Sequence, residues 1–262
     1  MDHTRRIILE GVSNARELGG LVNTDGQVLR RGALIRSANL SRAAKEDEKK
    51  LKEVYHLSLV IDLRTPMAAG QKPDVPMEGV RHLLLPVFDD AMIGVTHEND
   101  RDYVRRKTKM PEMKGLYEMM VLHPACRARF GEVLRIIMAH DFEQGSVLWH
   151  CSEGKDRCGL VTAFLLSALG VSDEQILEDY LITNETNLDR AAWYYRQVLE
   201  NGGSEEVAAS VRDAFVVKEE YLRHARDVIR REYPEKGSYL TEGLGLSETI
   251  LQEFKNKMLQ TR

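Results

Sequence analysis

The sequence predicts an α/β protein whose central, mostly parallel sheet is flanked by helices. Two observations carry that expectation. The apolar runs Leu59-Val60-Ile61-Asp62-Leu63 and Val147-Leu148-Trp149 lack the alternation of a half-exposed strand, and read as strands buried on both faces. They are interleaved with stretches of helical period: Phe130, Val133, Leu134, Ile137 and Met138 precede the second run, and the apolar stretch 160–169 follows it.

In chain order, Val22-Asn23-Thr24-Asp25-Gly26-Gln27-Val28 reads as a hairpin turned by Asp25-Gly26. Leu34-Ile35-Arg36 is a short strand. Ser41, ahead of a charged stretch anchored by Leu51 and Val54, predicts a helix over 42–55. The strand at Leu59 leaves through polar residues 62–65, at the sheet edge where open α/β sheets hold their ligands. His82-Leu83-Leu84-Leu85-Pro86 is a further strand, followed by Val87-Phe88-Asp89-Asp90.

Residues 91–114 are irregular and carry Arg101, Arg105, Arg106, Lys107 and Lys109; the region 91–125 reads either as a solvated charged face or as a lid or substrate-facing insertion. Residues 130–139 form a core helix. Ser172 and Gln175 make a capping-box pattern that opens a helix running to Thr183. Residues 193–199 and 214–233 read as further helices, separated by Asn201-Gly202-Gly203-Ser204, so the part from 172 to 262 is helical. A length of 262 residues fits one domain over 1–262 better than two.

Acidic residues outnumber basic ones by 41 to 37, a net charge of -4 that argues against a general nucleic-acid binder. No apolar run reaches the roughly 18 residues of a transmembrane segment. Ile7-Ile8-Leu9 is too short for the core of a signal peptide, and a cytoplasmic protein is expected. The three cysteines, Cys126, Cys151 and Cys158, are too few for a disulfide framework and lack zinc-site spacing, so no metal or cofactor is expected.

The chain is organised around His150-Cys151-Ser152-Glu153-Gly154-Lys155-Asp156-Arg157-Cys158-Gly159, which lies between a buried strand and a buried helix. The first turn of a helix leaves backbone N–H groups unpartnered and carries partial positive charge, which suits a phosphate. A loop curling around one centre places the Cys151 sulfur under a phosphorus atom and the Arg157 fork on two of its oxygens. The same cationic setting favours the Cys151 thiolate, the attacking form.

His150-Cys151-x5-Arg157 resembles the signature of the cysteine-dependent protein tyrosine phosphatases. The version Gly154-Lys155-Asp156-Arg157-x-Gly159 is similar to a bacterial and fungal branch that acts on phosphotyrosine and sometimes phosphoinositides. Asn14-Ala15-Arg16-Glu17-Leu18-Gly19-Gly20, Leu34-Ile35-Arg36-Ser37, Ile61-Asp62-Leu63-Arg64-Thr65, Glu178-Asp179-Tyr180-Leu181 and Tyr239-Leu240 resemble further blocks of that branch, in order. The resemblance implies a three-layer phosphatase fold of the dual-specificity type. It also implies a metal-independent phosphomonoesterase that works through a phosphocysteine, with phosphorylated protein or phosphoinositide as substrate and inorganic phosphate as product.

On that reading Cys151 is the nucleophile, Arg157 the transition-state clamp, and residues 152–158 the phosphate-binding loop. Ser152, Glu153, Gly154 and Lys155 belong to its floor. Gly154 and Gly159 are expected to let the backbone turn its N–H groups inward, and His150 to fix the loop. The resemblance makes Asp156 the general acid; Asp89 and Asp90 are rivals, and Asp62 is a third carboxylate with an orienting or loop-supporting role. Lys155 is either a second charge for the substrate or an ion-pair partner.

Cys158 departs from the pattern, which has threonine or serine there. A thiol is the weaker donor, so slower hydrolysis of the intermediate is expected. Two alternatives stay open: a phosphate-recognition module with weak turnover, and a reversible Cys151–Cys158 disulfide.

Overall fold

The computed structural model describes residues 5–88 and 112–261. Its strands are Arg16–Glu17 (β1), Val28–Leu29 (β2), Leu34–Ser37 (β3), Leu57–Asp62 (β4), Arg81–Leu84 (β5), Ser146–His150 (β6) and Leu259–Gln260 (β7). Five of them form one sheet in the order β1-β3-β6-β4-β5. β3, β6, β4 and β5 run parallel, and β1 joins β3 antiparallel. The expected sheet is therefore present.

Both faces of that sheet are covered, which is why its strands read as unbroken apolar runs. Leu34, Leu59, Ile61, Val147 and Trp149 face the larger core, while Ile35, Val60 and Leu148 face a smaller one with Ile7, Val12, Leu40, Leu51 and Met77. A register shift between Leu57 and Leu59 against β6 changes the phase of β4, so Leu57 joins Val60 on the smaller core.

The described α-helices are Lys45–Glu53 (α1), Pro66–Gln71 (α2), Met113–Leu122 (α3), Pro124–Ala139 (α4), Asp156–Ala168 (α5), Asp173–Glu200 (α6), Glu205–Asp213 (α7), Glu219–Glu232 (α8) and Glu248–Met258 (α9), with a π-helical turn at Tyr239–Gly243. α1 begins three residues later than Ser41 suggested. Asp47, not Ser41, organises its start by accepting from the backbone N–H groups of Glu10, Gly11 and Ala44. Most of the region expected as a lid, and both Asp89 and Asp90, lie outside the described residues; residues 113–125 form α3 and the start of α4.

Ser172 caps α6 as expected, accepting from Gln175 N–H. The helix does not stop at Thr183 but runs unbroken to Glu200. The residues between the two expected helices form a clasp. Asn184 pairs with both backbone groups of Val217, and Asn187 donates to Phe215 O at 3.1 Å. Those bonds hold 215–217 as a connector, so α8 starts at Glu219 rather than Ala214. The first half of α6 packs Ile176, Leu177 and Tyr180 into the main core, and its second half joins α7 in a separate cluster of Ala191, Tyr194, Val198, Ala208, Val211 and Phe215.

The hairpin forms, with Val22 bridged to Val28 and Gly26 at φ 79° in its turn. Its outgoing strand, β2, continues into a pairing with β7 that local pattern reading had no means to see.

Candidate active site

β3, β4 and β6 deliver their C-terminal ends to one edge of the sheet, where the chain leaves β6 at His150, turns through 151–155 and enters α5 at Asp156. Cys151, Gly154, Lys155, Arg157 and Cys158 are all buried there.

The loop's carbonyl groups are held from outside. Asn39 donates to Ser152 O from its backbone at 3.3 Å and its amide at 2.8 Å. The Asn14 amide donates to Glu153 O at 3.1 Å and Gly154 O at 2.9 Å, and Arg36 donates to Gly154 O at 2.6 Å. Asn14 reaches them from a left-handed backbone conformation, φ 57°, which asparagine tolerates better than most residues.

Gly154 is required twice over. Its φ is +66°, and a Cβ there would lie 2.4 Å from Ser37 O. Gly159 has a different part from the one expected. It is within α5 with no left-handed φ, and a Cβ would press to 3.0 Å from the Tyr180 ring, so the glycine makes room for that ring.

Burial alone would push the Cys151 thiol up. The Cys158 side chain, the Arg157 charge and the Cys158 backbone N–H outweigh it and bring Cys151 down to about 5. Cys158 moves the other way, raised by burial and then by Cys151, and so remains a thiol. Its sulfur sits 3.8 Å from Ser37 O and 3.9 Å from Trp149 O, long contacts befitting a weak donor. We expect the rate of Cys151 alkylation by iodoacetamide to be flat above neutral pH and to fall as pH drops through about 5. A midpoint in the ordinary thiol range would contradict this.

The Arg157 guanidinium bonds Leu63 O at 3.3 Å and Ser152 Oγ at 3.4 Å, and lies over the Phe88 ring at 5.7 Å. Lys155 is 3% exposed, and its Nζ lies 2.9 Å from one Asp156 oxygen and 3.2 Å from the other. Glu153 turns away from the loop's centre to pair with Arg190 at 3.0 Å.

Beneath the loop, His150 Nε2 lies 2.8 Å from Asp74 and Nδ1 lies 3.7 Å from Asp62. Burial works to lower the His150 pKa, but the two carboxylates win and raise it. Arg64 spans the same pair of carboxylates at 2.7 and 3.0 Å. Asp62, Asp74 and His150 have ligand atoms within 4.8 Å of one another, as a metal site would, but Arg64 already supplies a cation to them.

A second buried cluster lies on the α6 side. Asp179 takes Arg5 at 2.8 Å, Arg16 at 3.1 Å and Arg36 at 3.3 Å. Those guanidiniums hold its carboxyl well below the usual carboxylate range against the cost of burial. Arg16 itself falls to about 10, through burial and then the neighbouring Arg36 charge. Sequence reasoning assigned no part to Asp74, Asn14, Arg36, Asp179 or Tyr117. Three of these, Asn14, Arg36 and Asp179, fall within the blocks quoted above, which was the only available signal.

The tyrosine phosphatase family model matches residues 7–260. The chain belongs to the tyrosine phosphatase family. A family relative, a Cupriavidus necator protein assigned as a tyrosine-protein phosphatase, is 32% identical over 184 residues, covering 69% of this chain and 64% of its own length. The match to a tyrosine-protein phosphatase of Nostoc commune spans 48% of that protein, so the chain spans about half to two thirds of these two relatives. The triple specificity protein phosphatase PtpB of Mycobacterium tuberculosis is 26% identical, with 96% of this chain and 98% of that protein covered. Among solved structures, P. aeruginosa TpbA with phosphotyrosine matches at 19% identity and a TM-score of 0.36, over 77% of this chain and 94% of that one.

Proposed function

We propose that the chain is a single phosphatase domain that hydrolyses phosphotyrosine monoesters, with phosphoinositides as further substrates, through a phosphocysteine on Cys151. The observation that carries this is the Cys151 thiolate beside the Arg157 guanidinium, in a loop whose carbonyls are tied outward. In a trans peptide the N–H points opposite the C=O, so those ties turn the N–H groups toward the loop's centre. Phosphate oxygens bind there, Arg157 takes two of them, and Cys151 attacks phosphorus in line with the ester oxygen. Asp156 protonates the leaving oxygen, and its carboxylate then activates the water that frees inorganic phosphate.

Relatives described as a tyrosine-protein phosphatase and a triple specificity protein phosphatase support the phosphotyrosine part of this reading. No helix among the described residues is long and apolar enough to cross a membrane. Cys126, Cys151 and Cys158 are all free, which suits a reducing cytoplasm where the nucleophile stays available.

The test is steady-state hydrolysis, in EDTA, of a phosphotyrosine peptide and a panel of phosphoinositides. Turnover supports the reading; vanadate binding with no turnover on any of them would favour a phosphate-recognition module. The thiol of Cys158, a weaker donor to Cys151 than the hydroxyl of the resembled pattern, gives that module its foothold. Cys158→Thr should therefore speed breakdown of the phosphoenzyme, by about tenfold for a hydroxyl donor in place of a thiol. Rapid-quench measurement of the intermediate checks it: an unchanged decay rate would clear Cys158 of any part in the second step.

A further inference from the structure

Asp156 is met from its far side by a feature that the reaction scheme does not use. The Tyr117 hydroxyl, on α3, donates to Asp156 Oδ1 at 2.7 Å and lies 2.6 Å from the Tyr180 hydroxyl on α6. Tyr117 is fully buried and Tyr180 is 1% exposed. With the Tyr117 proton committed to Asp156, Tyr180 supplies its own to the Tyr117 oxygen, and the two hydroxyls form a chain that ends on the carboxylate.

The rings leave little freedom. Tyr117 meets Tyr180 edge to face at 6.4 Å and Tyr221 of α8 at 5.8 Å, and Gly159 lacks a Cβ where the Tyr180 ring passes. A buried tyrosine hydroxyl has to find a partner, and here the ring packing decides which atom it finds. Burial, with Asp156 as the next cause, raises the pKa of both phenols well above the ordinary value, so they remain donors across the working range.

We propose that Tyr117, backed by Tyr180, is the positioning residue of the general acid, fixing the Asp156 carboxylate so that one oxygen is held and the other serves the leaving group. Lys155 does not do this by itself. Its ammonium lies near both oxygens, and a point charge has no angular preference between them. A hydroxyl on a locked ring selects Oδ1. This role rests on Asp156 being the acid.

The experiment compares the full chain with Tyr117→Phe, Tyr180→Phe, Asp156→Asn and the Tyr117→Phe/Asp156→Asn pair on two substrates. One is nitrophenyl phosphate, whose leaving group departs with little help. The other is a phosphotyrosine peptide, whose phenol has a pKa of about 10 and needs the proton. Tyr117→Phe should lose about tenfold in kcat/KM on the peptide, a fraction of what general acid catalysis supplies, and little on the nitrophenyl ester, because kcat/KM reports the step in which the leaving oxygen is protonated and not the later hydrolysis that both substrates share. Tyr180→Phe should show the same selectivity at smaller size, which keeps the test open if Tyr117→Phe folds poorly. The double variant should be no worse than Asp156→Asn alone.

Equal loss in kcat/KM on both substrates, or loss that adds in full to that of Asp156→Asn, would overturn the positioning role and leave Tyr117 a packing residue. Absence of leaving-group selectivity in Asp156→Asn itself would remove the acid assignment, and the positioning role with it.

Discussion

Turnover of a phosphotyrosine peptide is expected to vanish in Cys151→Ser and to fall on the order of 10²–10³-fold in Arg157→Lys, and only the second variant should still be alkylated at position 151. The two losses have different origins. Serine at 151 has no thiolate to attack, whatever the loop supplies around it. Lysine at 157 keeps a positive charge near the sulfur, and so keeps much of what lowers Cys151 to about 5. It loses the planar fork that grips two phosphoryl oxygens as charge develops on them. It also loses the bonds to Leu63 O and Ser152 Oγ that aim the fork. Parallel kcat/KM and alkylation assays decide the matter. An Arg157→Lys variant with near-native kcat/KM would show that charge alone suffices.

The second large effect is on stability. Asp179→Asn should cost on the order of 3–5 kcal/mol, because it leaves three guanidiniums buried around a neutral amide. Urea denaturation of native and variant protein measures it. The native chain also predicts a pH signature. Its folded state keeps Asp179 ionised, whereas the unfolded chain takes up the proton near pH 4. The Asp179 contribution is therefore complete above about pH 4 and is lost as pH falls below it. Asp74, held low through His150 and Arg64 despite its burial, adds in the same direction. Asp179→Asn should flatten this acid limb; an unchanged limb would mean that Asp179 is not the group responsible.

What could be read from the sequence follows from the range of the interactions concerned. Residues 150–159 are contiguous, and their chemistry is set by spacing within one turn of chain, so the loop and the strand and helix around it were legible. The sheet was legible because both its faces are dry. The partners that hold the loop were not. Asn14, Arg36 and Asp179 lie 140, 118 and 25 positions from Gly154 in the chain, and only the folded sheet brings them to it. Tyr117 looked like part of an irregular insertion, since its helix follows a charged stretch without apolar period. α6 was read as two shorter helices because the polar stretch 184–192 offers little apolar period, and the bonds that Asn184 and Asn187 make to 215–217 lie far off in the chain.

α6 spans about 42 Å at 1.5 Å per residue and crosses from one hydrophobic cluster into another. Its first half stands under the loop through Asp179 and Tyr180, and its second half carries α7 on a small cluster of its own. Such a helix is a lever with a clamped end and a lightly held one. With far fewer buried side chains beneath it than the inner end has, the outer end and α7 are where local opening is expected to start. Arg190, on the outer half, is ion-paired with Glu153 in the loop. Local opening of the arm therefore reaches the phosphate-binding loop through the Arg190–Glu153 ion pair, while the buried arginine cluster on Asp179 belongs to the clamped end.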